Sequence, residues 1–119
     1  MADIMIVEDD DAFGYVIERQ LLNAGHSVTR FTDWKGVLER LESEANVDVL
    51  LTDLRLPEGG PNGVSIAMMA SARRRKLKVI CMTAYQETAD AAGSTFPTVI
   101  LKTDGTANVL AAINLALAS

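Results

Sequence analysis

The sequence predicts a doubly wound α/β fold, in which a five-stranded parallel sheet is covered by helices on both faces. Short apolar runs alternate along the chain with longer segments whose apolar residues recur at helical spacing. The runs are continuously apolar, as expected of parallel strands that are buried on both faces. Parallel neighbours need crossover connections, and a helix after each strand would supply them. We therefore expect a single domain over residues 1–119.

The strands are predicted from the apolar runs and from the residues that end them. The central run, Val49 to Leu51, ends at Asp53, and by Pro57 the chain has left the sheet, because proline cannot donate to a ladder. The run from Ser27 to Phe31 is less apolar than the others, which favours the edge of the sheet. The predicted strands lie within residues 4–7, 27–31, 47–53, 77–82 and 97–101.

The helices are predicted from apolar spacing, capping residues and stop signals. Asp10 or Asp11 can cap the first helix, which Gly25 ends, and Asp33 can cap the second. The segment after Thr83 is rich in small residues and specifies only a short helix. The predicted helices cover residues 11–24, 34–45, 64–75, 84–94 and 106–118, and a turn cluster at 58–63 precedes the third.

The composition is that of a globular protein and argues against several functions. Hydrophobic residues make up 49% of the chain, and no apolar run approaches the ~18 residues of a membrane span. A signal-peptide pattern is also absent from the start, so we expect a cytoplasmic protein. The net charge of −5 argues against direct nucleic-acid binding and suits a site that collects a cation. We interpret the basic run from Arg73 to Lys76 as a solvated helix end and Cys81 as a small buried side chain.

Four of the five predicted strands end in a side chain that can take part in chemistry. Glu8 and Asp9 follow the first strand, Asp53 the third, Thr83 the fourth and Lys102 the fifth. In the flavodoxin-like strand order 2-1-3-4-5, ligands bind outside the carboxyl ends of the strands, between the first and the third. The second strand would lie at the edge and would contribute no such group. We therefore expect these side chains to form one site.

The chemistry of this group of residues favours a metal and a phosphoryl group. Three carboxylates repel one another unless a cation or protons intervene, and hard oxygen ligands suit Mg²⁺, which often bridges carboxylates to phosphate oxygens. Lys102 would place a positive charge opposite such a phosphate, and the Thr83 hydroxyl could donate to it. Asp53, beside the metal, could itself be the nucleophile and form an aspartyl phosphate.

Five short motifs occur along the chain in a fixed order. They are Ile-Val-Glu-Asp-Asp at 6–10, Ala-Gly-His-Ser-Val at 24–28, Asp-Leu-Arg-Leu-Pro at 53–57, Thr-Ala at 83–84 and the lysine at 102. Each motif is weak alone, but the ordered set resembles a response-regulator receiver domain of two-component signalling, of the chemotaxis-regulator type. The resemblance covers essentially the whole chain.

The resemblance implies a role for each residue of the predicted site. Asp53 would be the phosphoacceptor, Thr83 the switch hydroxyl and Lys102 the contact to the phosphoryl group. The implied Mg²⁺ ligands are Glu8, Asp9, Asp53 and the backbone carbonyl of Arg55. The implied partners are a sensor histidine kinase or phosphotransfer protein and a downstream target or effector domain, with a dimer that forms on phosphorylation. The domain would be a signalling phosphoacceptor rather than an enzyme acting on outside substrates.

Three features depart from the family pattern. Val99 stands where members usually carry an aromatic switch residue, and Thr103 where a proline usually follows the lysine. The segment between Thr83 and Lys102 is also shorter than expected, by about one helical turn. Because Val99 is short and stiff, we expect phosphorylation to reorder residues 85–94 and to leave the last strand nearly unchanged.

Other functions remain to be compared with the phosphoacceptor. A receiver-like interaction module that acts without phosphorylation is the alternative, because the departures concern the output rather than the acceptor. A flavin or nucleotide binder on the same fold is disfavoured, since the acids from Glu8 to Asp11 would repel a phosphate at the first helix. A hydrolase is disfavoured because no segment suggests a substrate pocket or a lid.

Overall fold

A computed structural model describes residues 1–56 and 62–119 of the chain. Its strands are β1 (Asp3–Val7), β2 (Ser27–Phe31), β3 (Val49–Asp53), β4 (Lys78–Thr83) and β5 (Val99–Leu101). Its helices are α1 (Asp11–Asn23), α2 (Trp34–Glu42), α3 (Gly63–Arg73), α4 (Gln86–Ala92) and α5 (Thr106–Leu117). The strands form one parallel sheet in the order β2-β1-β3-β4-β5, as predicted. Pro57 and residues 58–61 of the predicted turn cluster at 58–63 lie outside the described residues.

Parallel pairing brings the carboxyl ends of the strands to one edge of the sheet. Ile4 of β1 lies opposite both Val28 of β2 and Val49 of β3. Asp53, at the end of β3, lies opposite Met82 of β4. The polar residues that follow the strands therefore emerge on the same side of the molecule, which confirms the predicted architecture.

The first two helices begin at the capping residues that the sequence indicates. The Asp10 side chain accepts a hydrogen bond from the Phe13 backbone N–H, and Asp33 accepts one from the Lys35 N–H. Such caps stabilise a helix by about 1 kcal/mol each, because they satisfy donors at the first turn. Gly25 follows α1 with φ of 93°, a conformation that glycine adopts most easily. None of the described helices is long and apolar enough to cross a membrane.

Apolar side chains fill the space on both sides of the sheet. Ile17 of α1 and Ile113 of α5 pack on one face. Val37 of α2 and Ile66 of α3 pack on the other face, where α4 covers a smaller cluster that includes Cys81. Cys81 is fully buried, as predicted. Side chains of this size contribute about 1.5–3 kcal/mol each when buried, so both helical layers are held firmly to the sheet.

Arg74 corrects the interpretation of the basic run. Its guanidinium donates to four backbone carbonyls at and after the end of α2, at 2.7–3.3 Å, namely those of Arg40, Leu41, Ser43 and Ala45. A solvated helix end is therefore wrong for Arg74, although Arg75 and Lys76 are exposed. Local sequence could not reveal this, since the carbonyls come from another helix.

The region between Thr83 and Lys102 is built from short elements. α4 has seven residues and β5 has three, fewer than the ranges predicted from the sequence. No side chain in the described part of the chain caps α4, where Tyr85 occupies the cap position. β4 has six residues, and its amino-terminal half extends beyond its neighbour β5, away from the strand ends that carry the acidic residues.

Candidate functional site

Three acidic side chains meet at the carboxyl ends of β1 and β3. One carboxylate oxygen from each of Glu8, Asp9 and Asp53 lies within 4.8 Å of the others. Glu8 is completely buried and Asp53 is 6% exposed, whereas Asp9 is exposed. The two buried acids come together because β1 and β3 are paired neighbours. The acids that the sequence predicted to converge therefore do so.

Lys102 completes this cluster from the end of β5. Its Nζ atom lies 2.5 Å from Glu8 Oε1 and 3.0 Å from Asp53 Oδ2. The same ammonium lies 4.6 Å from the centroid of the Phe13 ring on α1. A cation over an aromatic face is attracted by the ring quadrupole, so Phe13 adds a further contact to the ammonium.

The charges in this cluster shift the protonation of its members. Burial raises the pKa of Glu8 to about 7, with the neighbouring Asp53 carboxylate adding to the rise and Lys102 opposing it. Burial alone would lower the pKa of Lys102, but its contacts with Glu8 and Asp53 raise it above its ordinary value. The ammonium is therefore a permanent positive charge beside the acids at neutral pH.

The second oxygen of Asp53 is held by the backbone. Asp53 Oδ1 accepts a hydrogen bond of 2.9 Å from the Arg55 N–H, so both carboxylate oxygens have defined partners. The Arg55 side chain turns toward α4. Its guanidinium lies 4.1 Å from the Tyr85 ring centroid and donates to Thr88 Oγ1 at 3.3 Å. Arg55 therefore connects the loop after β3 to the start of α4.

Thr83 lies next to this cluster but is engaged locally. It follows Met82, the residue that pairs with Asp53, and its side chain is fully buried. Its hydroxyl oxygen accepts a hydrogen bond of 3.2 Å from the Tyr85 N–H. Within residues 1–56 and 62–119 the hydroxyl makes no hydrogen bond to Asp53 or Lys102.

The role of the Arg55 backbone carbonyl as a Mg²⁺ ligand stays a prediction.

The donor set fits a hard divalent cation. All three acids offer carboxylate oxygens, which are the ligands that Mg²⁺ prefers. Among the described residues, the buried Glu8 Oε1 has no hydrogen bond of good alignment, although the ammonium of Lys102 is close to it. A cation among the three acids would satisfy this oxygen and would remove the repulsion between them.

Two contacts at the site were not predicted from the sequence. One is the Phe13 ring against Lys102. The other is Arg30 of β2, which donates to the Glu8 carbonyl and to Asp11 at 3.4 Å each. Arg30 thus supports the acidic loop from outside the carboxylate cluster and makes no hydrogen bond to Asp53 among the described residues. The expectation that β2 supplies no group for the chemistry stays a prediction. A lone arginine in an otherwise uncharged strand was the available signal.

Curated relatives match most of this chain. The chain is 39% identical over 93 residues to the DNA-binding transcriptional regulator NtrC of Escherichia coli K12, which covers 78% of this chain and 19% of NtrC. It is 40% identical over 91 residues to NtrC of Klebsiella pneumoniae, which covers 76% of this chain and 19% of that protein. The chain thus spans about a fifth of the length of the relatives that it matches.

Solved structures with the same fold cover nearly the whole chain. A CheY-like response regulator receiver domain protein from Methanospirillum hungatei superimposes with a TM-score of 0.84 at 24% identity, covering 98% of this chain and 94% of the other. The N-terminal domain of a response regulator/sensory box/GGDEF protein from Carboxydothermus hydrogenoformans gives 0.81 at 26% identity, covering 97% and 93%. At 24% identity, the likeness to the Methanospirillum hungatei protein supports the fold alone.

The family itself is established by a match along the chain. The family model of the response regulator receiver domain matches residues 4–113, which include every residue of the predicted site. The strand order and the cluster of acids with a lysine at the strand ends agree with the resemblance seen in the sequence. The chain therefore belongs to the response regulator receiver domain family of two-component systems.

Proposed function

We propose that this domain takes a phosphoryl group from a phosphohistidine onto Asp53 in a Mg²⁺-dependent reaction and thereby switches a protein-interaction surface. The observation that carries the proposal is the setting of Asp53. Its carboxylate lies at the carboxyl end of β3, with one oxygen bound by the Lys102 ammonium and the other by the Arg55 N–H. The proposal makes the domain a signalling phosphoacceptor rather than an enzyme with outside substrates.

The residues of the chain can position the reactants for this transfer. An Asp53 oxygen would form a P–O bond as the P–N bond of the donor breaks, and the imidazole would leave with the electron pair. Lys102 would balance charge on the phosphoryl oxygens, because its ammonium already lies 3.0 Å from Asp53. Near-complete burial of Asp53 limits the access of water, and phosphoryl transfer depends mainly on such positioning and charge neutralisation.

Glu8, Asp9, Asp53 and the Arg55 carbonyl would hold the metal. Mg²⁺, when bound there, would neutralise the negative charge of the acids and of the incoming phosphoryl group. Two solved relatives support this. The regulator TrrA from Thermotoga maritima is described in complex with Mg²⁺ and BeF, and a regulator from Burkholderia pseudomallei with a phosphorylated aspartic acid and a calcium ion.

The partners are proposed at the level of protein class. The phosphoryl donor would be a sensor histidine kinase or a phosphotransfer protein in the cytoplasm. The output would act on a downstream protein or an effector domain, and it could include a dimer formed on phosphorylation. The matched NtrC proteins are DNA-binding transcriptional regulators of much greater length, which supports a partner domain of the effector class.

We propose that the output passes through α4 rather than through β5. The Thr83 hydroxyl oxygen accepts a hydrogen bond from the Tyr85 N–H, and the Tyr85 ring stacks on the guanidinium of Arg55, in the loop after β3. A phosphoryl group on Asp53 would attract both the hydroxyl of Thr83 and the cation of Arg55. Either movement would release the start of α4, whereas Val99 has no polar atom in its side chain to respond.

Transfer from a small phosphodonor tests the acceptor. The wild-type domain, incubated with Mg²⁺ and acetyl phosphate, should gain one phosphoryl group that maps to Asp53. Asp53→Asn should stay folded and unlabelled, while Asp104→Asn, at an exposed acid close in sequence to Lys102, should label as wild type does. A wild-type domain that binds Mg²⁺ but gains no label from either acetyl phosphate or a panel of kinases would favour the phosphorylation-independent module.

A further inference from the structure

The half of β4 farthest from Asp53 has an unpaired edge. β4 pairs with β5 only from Cys81, opposite Val99, onward. Within residues 1–56 and 62–119, its first three residues, from Lys78 to Ile80, pair with β3 on one side and with no strand on the other. The cause is the shortness of β5, which has three residues against six in β4.

The unpaired edge presents the backbone groups of Val79. The Cys81 N–H points to the β5 side, where it donates to the Thr98 carbonyl at 3.1 Å. The Lys78 N–H points to the β3 side, where it donates to the backbone carbonyl of Asp48. Backbone groups of alternate residues in a strand point to the same edge, so the N–H and C=O of Val79 point outward on the β5 side. In the described part of the chain no backbone group pairs with Val79 there.

A groove of about 540 Å³ runs beside this edge. Its walls come from β4, from the segment before β5 and from the ends of α3 and α5, with Met68, Val79, Phe96, Pro97 and Ala116 among the lining residues. Met68 is 55% exposed although it is a large apolar side chain. Methionine adapts to different partners because its chain is unbranched and flexible. The groove therefore offers apolar contacts next to free backbone hydrogen-bonding groups.

Lys78 gives the groove a positively charged side chain although the chain is acidic. Lys78 is the only residue with an ionisable side chain among those described as lining the groove. The whole chain carries a net charge of −5, so a lysine at the groove stands against the overall balance of charge. A ligand with acidic groups would be attracted here.

We propose that this groove binds an extended peptide segment of a partner protein, which pairs with Val79 as an added strand and carries alternating acidic and apolar side chains. Edge strands bind peptides in this way, since backbone hydrogen bonds supply affinity and alternate side chains supply specificity. A second copy of the chain fits less well, because pairing two such edges would bring two Lys78 side chains together. A lipid surface fits less well too, because acyl chains cannot satisfy the Val79 groups. The site lies at the opposite end of the sheet from Asp53 and does not depend on phosphorylation.

A designed hexapeptide of alternating glutamate and valine, with blocked ends, tests the proposal against the ¹⁵N-labelled 119-residue chain. The peptide should shift the amide signals of Val79, Ile80 and Thr98 in a saturable way. Lys78→Glu should weaken binding about tenfold or more, whereas Lys76→Glu, the same change outside the groove, should weaken it no more than about twofold. A peptide N-methylated at alternate residues should lose most of its affinity, because it cannot pair with the strand.

Several results would overturn the proposal. One is the absence of a shift at Val79 with about 2 mM peptide, a concentration that reveals millimolar binding. The others are equal binding of a lysine–valine peptide and shifts confined to α4 and α5. Sedimentation showing a dimer through this edge, or the same amide shifts with phosphatidylglycerol vesicles, would assign the groove to another occupant. If Lys78→Glu fails to fold, the comparison of the two oppositely charged peptides on the wild-type chain decides the question.

Discussion

The first and fourth helices both follow strands that carry residues of the candidate site, yet they differ in how firmly they are held. α1 has thirteen residues, a side-chain cap from Asp10 and three buried positions, among them Ile17 and Leu21. α4 has seven residues, no side-chain cap and a single buried residue, Ala92. Short helices are marginal without tertiary packing, so α4 has a low free energy of local unfolding. We call β1, α1 and β3, with the loops that pack on them, the rigid half, and residues 83–94 the loose half. The loose half should rearrange at the lower cost in free energy.

The contrast predicts opposite effects of one substitution in the two halves. A Cβ at Gly63 would overlap the Asp53 carbonyl oxygen and lie 2.6 Å from Leu54 Cα, so Gly63→Ala should destabilise the domain by about 3 kcal/mol. A Cβ at Gly93 would lie 3.4 Å from the Ala89 carbonyl at a helical φ of −61°, so Gly93→Ala should stabilise it by about 0.5 kcal/mol. Urea unfolding measures both, and equal effects would remove the contrast.

The affinity for Mg²⁺ should depend on pH through Glu8, in the rigid half. Because the pKa of Glu8 is raised to about 7, the metal must displace a proton below that pH. The apparent affinity should fall by up to about tenfold per pH unit below 7 and level off above it. Calorimetric titrations from pH 5 to 8 measure this, and Glu8→Gln should bind weakly with a flat profile. A wild-type profile as flat as that of the variant would contradict the prediction.

The raised pKa of Glu8 also makes the stability of the metal-free protein depend on pH. The folded state holds the Glu8 proton more tightly than the unfolded chain, whose group has a pKa near 4.5. The contribution of Glu8 to stability is therefore fully present below pH 4.5 and is lost as the pH rises through 7. Bound Mg²⁺ should reverse this loss by favouring the carboxylate.

A phosphoryl mimic should change the loose half and leave β5 nearly unchanged. With Mg²⁺ and beryllium fluoride bound, amide exchange between Tyr85 and Ser94 should change by about tenfold, which corresponds to about 1.4 kcal/mol in local opening. Thr83→Ala should still bind the mimic but lose this effect, since a ligand shifts an equilibrium only through its differential affinity. Changes centred on Val99 to Lys102, with none between Tyr85 and Ser94, would show that the signal takes the other route.

The smallest expected effect concerns the link between the halves. Arg55→Ala removes the contact with the Tyr85 ring and the hydrogen bond to Thr88, and it should cost about 0.5 kcal/mol. Amide exchange should rise in α4 and stay unchanged in α1. Arg75→Ala, at an exposed arginine away from the site, serves as the control. Equal exchange in α4 for both variants would show that Arg55 does not hold this helix.

The sequence predicted what local pattern encodes and missed what distant contacts decide. The uninterrupted apolar run at Val49–Leu51 and the cap at Asp33 identify their elements because the cause lies within a few residues. The carboxyl-end rule for parallel sheets placed Glu8, Asp53 and Lys102 together, and the structure bears out that convergence.

The misses have a different physical origin. Arg74 and Phe13 act on groups more than 25 residues away in sequence, so no local pattern marks them. The predicted length of the last strand failed because β5 begins only at Val99, where its pairing with β4 begins, and tertiary structure sets that point. Helix α2 also ends before the predicted position, where Arg74 binds its last carbonyls.

The burial of Cys81 gives the chain a built-in reporter of these motions. Burial raises the pKa of its thiol to about 12, and only the thiolate reacts rapidly with electrophiles. The thiol packs in the small cluster beneath α4, together with Ala92 and Phe96. A thiol reagent can reach it only when that cover lifts or the whole domain unfolds. Since no other cysteine competes, labelling that is faster than global unfolding records how often the fourth helix leaves the sheet, without any introduced probe.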